Sequence, residues 1–144
     1  MPVRSYRDLV AWRRAMDLVN AVYAATRAWP NEELYSLTSQ IRRAAVSVPS
    51  NIAEGQGRSS TKEFLKHISI AYGSLMEVET QMSIAQEQGY HTAAQAEELL
   101  ALAAEVGRLL NGLSNSLRRK LRARTTDPCP PTTAHRPQGS PAAT

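Results

Sequence analysis

Gln40, Arg43, Ser47, Asn51, Glu54 and Arg58 recur at three- and four-residue steps. On a helix of about 3.6 residues per turn they fall within roughly 80° of one another. One helix surface would thus carry uncharged hydrogen-bonding groups that end in charges. A cleft holding Asn51, Glu54 and Arg58 is conceivable as an active site, but it matches no known catalytic constellation. Glu63 and His67 stand one turn apart, a spacing open to a metal or an acid–base pair. The helical zinc motif needs His-Glu-x-x-His, which is absent. Di-iron helical bundles draw Glu-x-x-His from two helices, and no glutamate here has a histidine three residues later. His91 falls in a turn and His135 in a proline-rich stretch. No Gly-x-Ser-x-Gly elbow, Walker loop or dinucleotide fingerprint occurs, and Gly55-Gln-Gly57 is too short for either glycine loop. The expectation is a protein with no catalytic residue, no metal and no cofactor, and hence not an enzyme.

Charge offers a different chemistry. The formal net charge is +4, with 17 basic and 13 acidic residues. Three basic residues and one acidic residue lie beyond Leu121, which leaves the preceding chain at +2. Basic character is concentrated in Arg118, Arg119, Lys120, Arg122 and Arg124. Cations at a helix C-terminus complement the helix dipole, and an anion-binding role stands beside that reading. With Arg13, Arg14 and Arg42, these residues are the candidate contacts to phosphates, made without reading bases.

Four amphipathic helices must position these groups. The first is expected from Asp8 to about Ala28, with Leu9, Trp12, Met16, Val19, Tyr23 and Thr26 inward. Trp29-Pro30-Asn31 breaks it, and Glu32-Glu33 place negative charge before the next helix. Within Leu37–Arg58, the residues Leu37, Ile41, Ala44, Ala45, Val48 and Ile52 form an apolar arc beside the polar stripe. Pro49 costs about 3 kcal/mol in a helix interior, yet the arc stays in phase across it, so a kinked single helix is predicted. Gly55-Gln-Gly57 should end it through a left-handed cap. Ser60 or Thr61 caps the third helix, which runs to about Gln88 and buries Phe64, Ile68, Ala71, Tyr72, Leu75, Val78 and Met82. Glu79 falls inside that arc, so it should pair with Arg43, or failing that Arg42. Gly89 stops this helix and Thr92 caps the fourth, whose stripe is Leu99, Leu102, Ala103, Val106, Leu110, Leu113, Leu117 and Leu121.

The outward residues Val46, Ala53, Ile70, Gly73 and Ile84 are small or apolar, a composition that suits close approach by another helix. After Thr125 the composition changes to five prolines in nineteen residues with no Leu, Ile, Val or aromatic group. Such a stretch cannot offset the entropy of ordering it, so 125–144 is expected to be a disordered tail after a bundle over 1–124. The single cysteine, Cys129, has no partner in the chain, and the longest apolar run, Leu99 to Ala104, is too short to span a bilayer. No signal-peptide pattern opens the sequence, and a cytoplasmic protein is expected.

The wording QIRRAAVSVPSNIAEGQGR, followed by KEF and GSLMEVETQ, resembles the bacterial four-helix-bundle family encoded by intervening sequences of large-subunit rRNA genes. The resemblance runs from about Tyr6 to Leu121. It implies an all-α, antiparallel up-down-up-down four-helix bundle and a homo-oligomer, a ring-like pentamer. A more distant likeness is to the accessory protein of diversity-generating retroelements, which holds nucleic acid and a reverse transcriptase. Two functions follow as expectations: an oligomeric nucleic-acid-binding or ribonucleoprotein accessory factor, with RNA or DNA as partner, or a protein-interaction scaffold with no nucleic-acid role.

Overall fold

The structure of the chain, a computed structural model, describes residues 5–126. Four helices account for most of them: α1 (Val10–Thr26), α2 (Leu37–Gln56), α3 (Thr61–Glu87) and α4 (Ala93–Thr126). Short 3₁₀ turns cover Tyr6–Asp8 and Asn31–Glu33, and there is no strand among the described residues. The all-α expectation therefore holds. The expected tail lies outside the described residues except for Thr125 and Thr126, whose backbone continues α4.

Local chemistry sets the helix ends. Ser60 Oγ accepts the Glu63 amide at 3.0 Å and starts α3. At α4 the exchange is reciprocal: Thr92 Oγ1 accepts the Gln95 amide at 3.2 Å, while Gln95 Oε1 accepts the Thr92 amide at 3.0 Å. The start of α2 is served from outside the helix, where Glu33 Oε2 accepts the Leu37 amide at 3.1 Å. Gly89, with φ of 77°, ends α3 in the left-handed region that favours glycine.

The end of α2 differs from expectation. Gly57 has an ordinary right-handed φ of −75°, so no left-handed cap forms. Gly55 lies inside the helix and is buried. A Cβ there would sit 2.7 Å from His67 Cβ and 3.0 Å from Phe64 Cδ1, so its role is to let α3 approach. Pro49 is buried within an uninterrupted α2, in line with a single helix.

Each helix packs on its neighbours in sequence, and α1 also meets α4, closing a four-membered arrangement. Asn51 meets His67 and Ser47 meets Ser74, so α2 and α3 run antiparallel. Trp29, just after α1, packs on Tyr90 and His91, just before α4, while Arg14 reaches Glu105; these two helices are antiparallel as well. The core contains Ile41, Ala45, Val48 and Ile52 from α2, Ile68, Leu75, Val78 and Met82 from α3, and Ala103, Val106 and Leu110 from α4. The inward face of α1 is rotated from the expected one. Ala11, Ala15, Leu18 and Val22 are buried together with Thr26, whereas Tyr23 is 37% exposed. Small residues admit the neighbouring helices closely, and close packing, not side-chain bulk, decides which face turns in.

No helix among the described residues is long and apolar enough to cross a membrane.

Candidate nucleic-acid interface and the polar seam beside it

The helix registers bring one set of ends together. Short connections put the C-terminus of α2 beside the N-terminus of α3, and Gly107 of α4 lies against Leu75 and Tyr72 of α3. The C-terminal half of α4 therefore runs back toward the start of α3, where the start of α1 also lies. With 34 residues against 27, α4 is long enough to carry its last basic residues to this end and beyond.

Arg7, Arg58, Lys62, Lys66, Arg118, Arg119, Lys120, Arg122 and Arg124 gather at this end, against Asp8, Glu54 and Glu63. At the opposite end Glu32, Glu33, Glu87, Glu97 and Glu98 stand against Arg27, Arg42 and Arg43, with Arg42 bonded to Thr26 at the end of α1. The bundle is thus polarised along its axis, far more strongly than a net charge of +4 conveys. Arg118, Arg119, Lys120, Arg122 and Arg124 are all exposed. The spread of these residues around a helix gives a basic shaft rather than one stripe.

The other candidate phosphate contacts fare differently. Arg13 is exposed. Arg14 is held by Glu105, with Nη2 to Oε2 at 2.7 Å and Nε to Oε1 at 3.0 Å, and by Asp17 at 2.6 Å. The hydrogen bond from Arg14 is the main reason that the Glu105 carboxyl lies below its ordinary range. The same bond is the first cause holding the Arg14 guanidinium above its own range. Arg42 Nε donates to Thr26 Oγ1 at 2.9 Å, and its guanidinium lies 4.8 Å from the centre of the Tyr23 ring. Arg14 and Arg42 are therefore committed to partners within the fold.

The polar stripe of α2 becomes a seam with α3. Ser74 Oγ donates to Ser47 Oγ at 2.9 Å, and Asn51 Nδ2 donates to Ser47 Oγ at 3.0 Å and to the Ser47 carbonyl at 2.8 Å. Asn51 Oδ1 lies 3.1 Å from His67 Nδ1. Farther along, Glu54 pairs with Arg58 at 2.8 Å and lies 4.0 Å from His67 Nε2, and Arg58 lies 3.9 Å from Glu63. His67 and Ser74 are the members that the pattern of α2 alone did not reveal. Gln40 and Arg43 are exposed and stand outside the seam.

The expected Glu79–Arg43 pair does not form. Glu79 is half-buried at the edge of the core and Arg43 is exposed, and neither has an ion pair among the described residues. Arg42, the second choice, is bonded to Thr26. Water reaches a carboxylate at the margin of the core, so the desolvation that would demand a partner is not incurred.

Val46, Ile70 and Ile84 are 40%, 44% and 41% exposed, and no atom would meet a Cβ at Gly73 within 4 Å. Ala53 is half-buried. A groove between α1 and α4, floored by Ala21, Ala25 and Leu102, has Arg14, Glu98, Glu105 and Arg108 along its edges.

The sequence profile of a family described as 23S rRNA-intervening sequence protein matches residues 7–112. A solved structure from Bacteroides thetaiotaomicron, described as a protein with unknown function from the S23 ribosomal protein family, superposes with a TM-score of 0.68. It is 22% identical, and the match covers 73% of this chain and 98% of that one. At that identity the likeness bears on the fold alone. No curated protein matches.

Proposed function

The chain belongs to the 23S rRNA-intervening sequence protein family, and from that premise we propose that it is a non-enzymatic, cytoplasmic nucleic-acid-binding or ribonucleoprotein accessory factor that works as a homo-oligomer. The observation that carries this reading is the segregation of charge along the bundle, with nine basic residues against three acidic ones at one end. Duplex and single-stranded nucleic acids present dense phosphate charge, and cations that neutralise it release counterions. Arg118, Arg119, Lys120, Arg122 and Arg124 supply the phosphate contacts, extended by Lys62 and Lys66 from the start of α3. Side chains that project from all sides of one helix suit phosphates, whose spacing repeats, better than base edges, which need a fixed approach.

A single basic end gives weak binding, about 10⁻⁴ to 10⁻⁶ M at physiological salt. Assembly repeats that end on one particle and raises its effective affinity. The exposed Val46 and Ile70 and the open Gly73, which flank the α2–α3 seam, form the proposed contact between copies. The same exposed apolar residues favour the second reading, a protein-interaction scaffold that binds no nucleic acid.

Fluorescence anisotropy with mixed-sequence RNA and DNA at a series of salt concentrations separates the two. The accessory-factor reading expects binding that weakens steeply with salt and varies little with sequence. Absence of binding even at low salt leaves the scaffold. In sedimentation the chain should run as a species several times 15.8 kDa, and Gly73→Trp should dissociate it.

A further inference from the structure

Where α2 ends and α3 begins, a surface cavity is lined by Arg58, Lys62, Glu63, Lys66, His67 and Ile70. His67 is the one half-buried titratable group in it, with a side chain 15% exposed. The seam fixes its tautomer. Asn51 Nδ2 already donates to the Ser47 carbonyl and hydroxyl, so the atom facing His67 Nδ1 is the amide oxygen, which only accepts. A flipped amide would set its oxygen against the Ser47 carbonyl, two acceptors in contact. His67 Nδ1 therefore carries a proton and donates it to Asn51. Its other nitrogen, Nε2, is left for the cavity side, where the group it faces is the Glu54 carboxylate at 4.0 Å.

The surroundings decide what Nε2 is for. From α2 come Glu54 and Arg58; from α3 itself come Lys62, Glu63 and Lys66. His67 makes no hydrogen bond or ion pair to α4 among the described residues. Three cations around the opening oppose a metal ion and favour an oxyanion. Arg58 is engaged by Glu54 and Glu63, whereas Lys62 and Lys66, one turn apart and exposed, have no ion pair among the described residues. Neutral His67 offers Nε2 only as an acceptor, so an oxyanion can be bonded there only if that nitrogen takes up a proton.

We propose that this cavity is a phosphoryl-binding subsite in which Lys62, Lys66 and protonated His67 Nε2 hold the oxygens of a phosphate group of nucleic acid, with proton uptake coupled to binding. The proposal rests on the accessory-factor reading for the source of the phosphate, but the anion site itself is tested without nucleic acid. The probes are inorganic sulfate, whose charge is constant between pH 6 and 8, and inorganic phosphate. Both are titrated into the full chain at constant ionic strength while the imidazole proton resonances are followed by NMR. His67→Gln identifies the His67 signals by their loss.

The expected result is a saturable shift of the His67 resonances alone, with sulfate bound about tenfold more tightly at pH 6 than at pH 8. Lys62→Gln with Lys66→Gln should weaken sulfate at least about tenfold and leave the helical circular dichroism unchanged. A 5′-phosphorylated and a 5′-hydroxyl RNA oligonucleotide then distinguish the sources. A stronger His67 shift with the first assigns a terminal phosphate, and equal shifts assign backbone phosphates. The proposal is overturned if neither anion moves the His67 resonances, or if sulfate affinity is unaffected by pH or by loss of the two lysines. Salt-dependent oligonucleotide binding that persists with silent His67 resonances would remove the subsite and leave the basic-end reading standing.

Discussion

Gly55→Ala should destabilise the bundle, although alanine is the better helix former. The added Cβ would lie 2.7 Å from His67 Cβ and 3.0 Å from Phe64 Cδ1, with the Phe64 carbonyl oxygen at 3.3 Å. Carbon atoms prefer about 3.5–4.0 Å, so α2 and α3 must separate by about 1 Å at their crossing. Both opposing atoms are close to the α3 backbone or part of a packed ring, so no flexible side-chain tip can yield instead. Overpacking of this kind costs about 1–3 kcal/mol. Replacing glycine by alanine in a helix returns about 0.8–1 kcal/mol, which leaves a net loss of up to about 2 kcal/mol. Gly57→Ala is the internal control. Its Cβ would meet only the Glu54 and Ala53 carbonyl oxygens at 3.5 and 3.6 Å, and φ is −75°. That substitution should be neutral or stabilising by up to about 1 kcal/mol. Urea denaturation followed by circular dichroism at 222 nm gives both values from midpoints and slopes. Stability of Gly55→Ala equal to or above that of the unaltered chain would refute close approach as the reason for glycine there. A large loss for Gly57→Ala would restore the left-handed cap.

Three further outcomes follow from particular contacts. Glu105 is held below its ordinary range by Arg14, so its contribution is present above the unfolded carboxyl pKa, about 4.3, and is lost as the pH falls through the lower folded value. Glu105→Gln should therefore lower stability near neutrality, and the difference should vanish in acid unfolding curves below about pH 3. Leu75 is fully buried and packs toward Gly107, so Leu75→Ala should cost about 2–5 kcal/mol in urea denaturation. Ser60→Ala removes the acceptor of the Glu63 amide and should cost about 1 kcal/mol, measured the same way.

Much of the fold was legible because helix periodicity is a property of one segment at a time. The apolar arcs of α2, α3 and α4 and the end signals at Ser60, Gly89 and Thr92 are read along the chain. What failed needed a second helix. Asn51 and Ser47 were visible as a polar pair of positions, but nothing in α2 says that His67 and Ser74 will face them. Glycine at 55 signals either backbone freedom or the absence of a Cβ, and only the position of Phe64 and His67 separates the two. Glu79 looked buried because its arc was apolar, whereas its place at the margin of the core depends on how far α2 and α4 cover α3. In α1, bulky Tyr23 and Met16 outweighed Ala11 and Ala15 in a hydrophobicity reading, though helix contact favours the alanines. The polarity of charge was within reach. Short connections before Thr61 and Ala93 put Arg58, Lys62 and Lys66 at the same end as Arg118–Arg124, a juxtaposition that the local cluster alone does not show.

Binding of RNA by that end is tested most directly through the salt dependence of affinity for two proteins, the unaltered chain and one with Arg118, Arg119, Lys120, Arg122 and Arg124 all replaced by Gln. For a single strand the slope of log affinity against log salt is about −0.7 per phosphate neutralised. If all five side chains engage phosphates, the slope should become shallower by roughly 3 to 4 in the variant, with affinity reduced and helicity unchanged. Identical slopes in the two proteins, or no retention of RNA or DNA by the unaltered chain at low salt, would contradict the assignment.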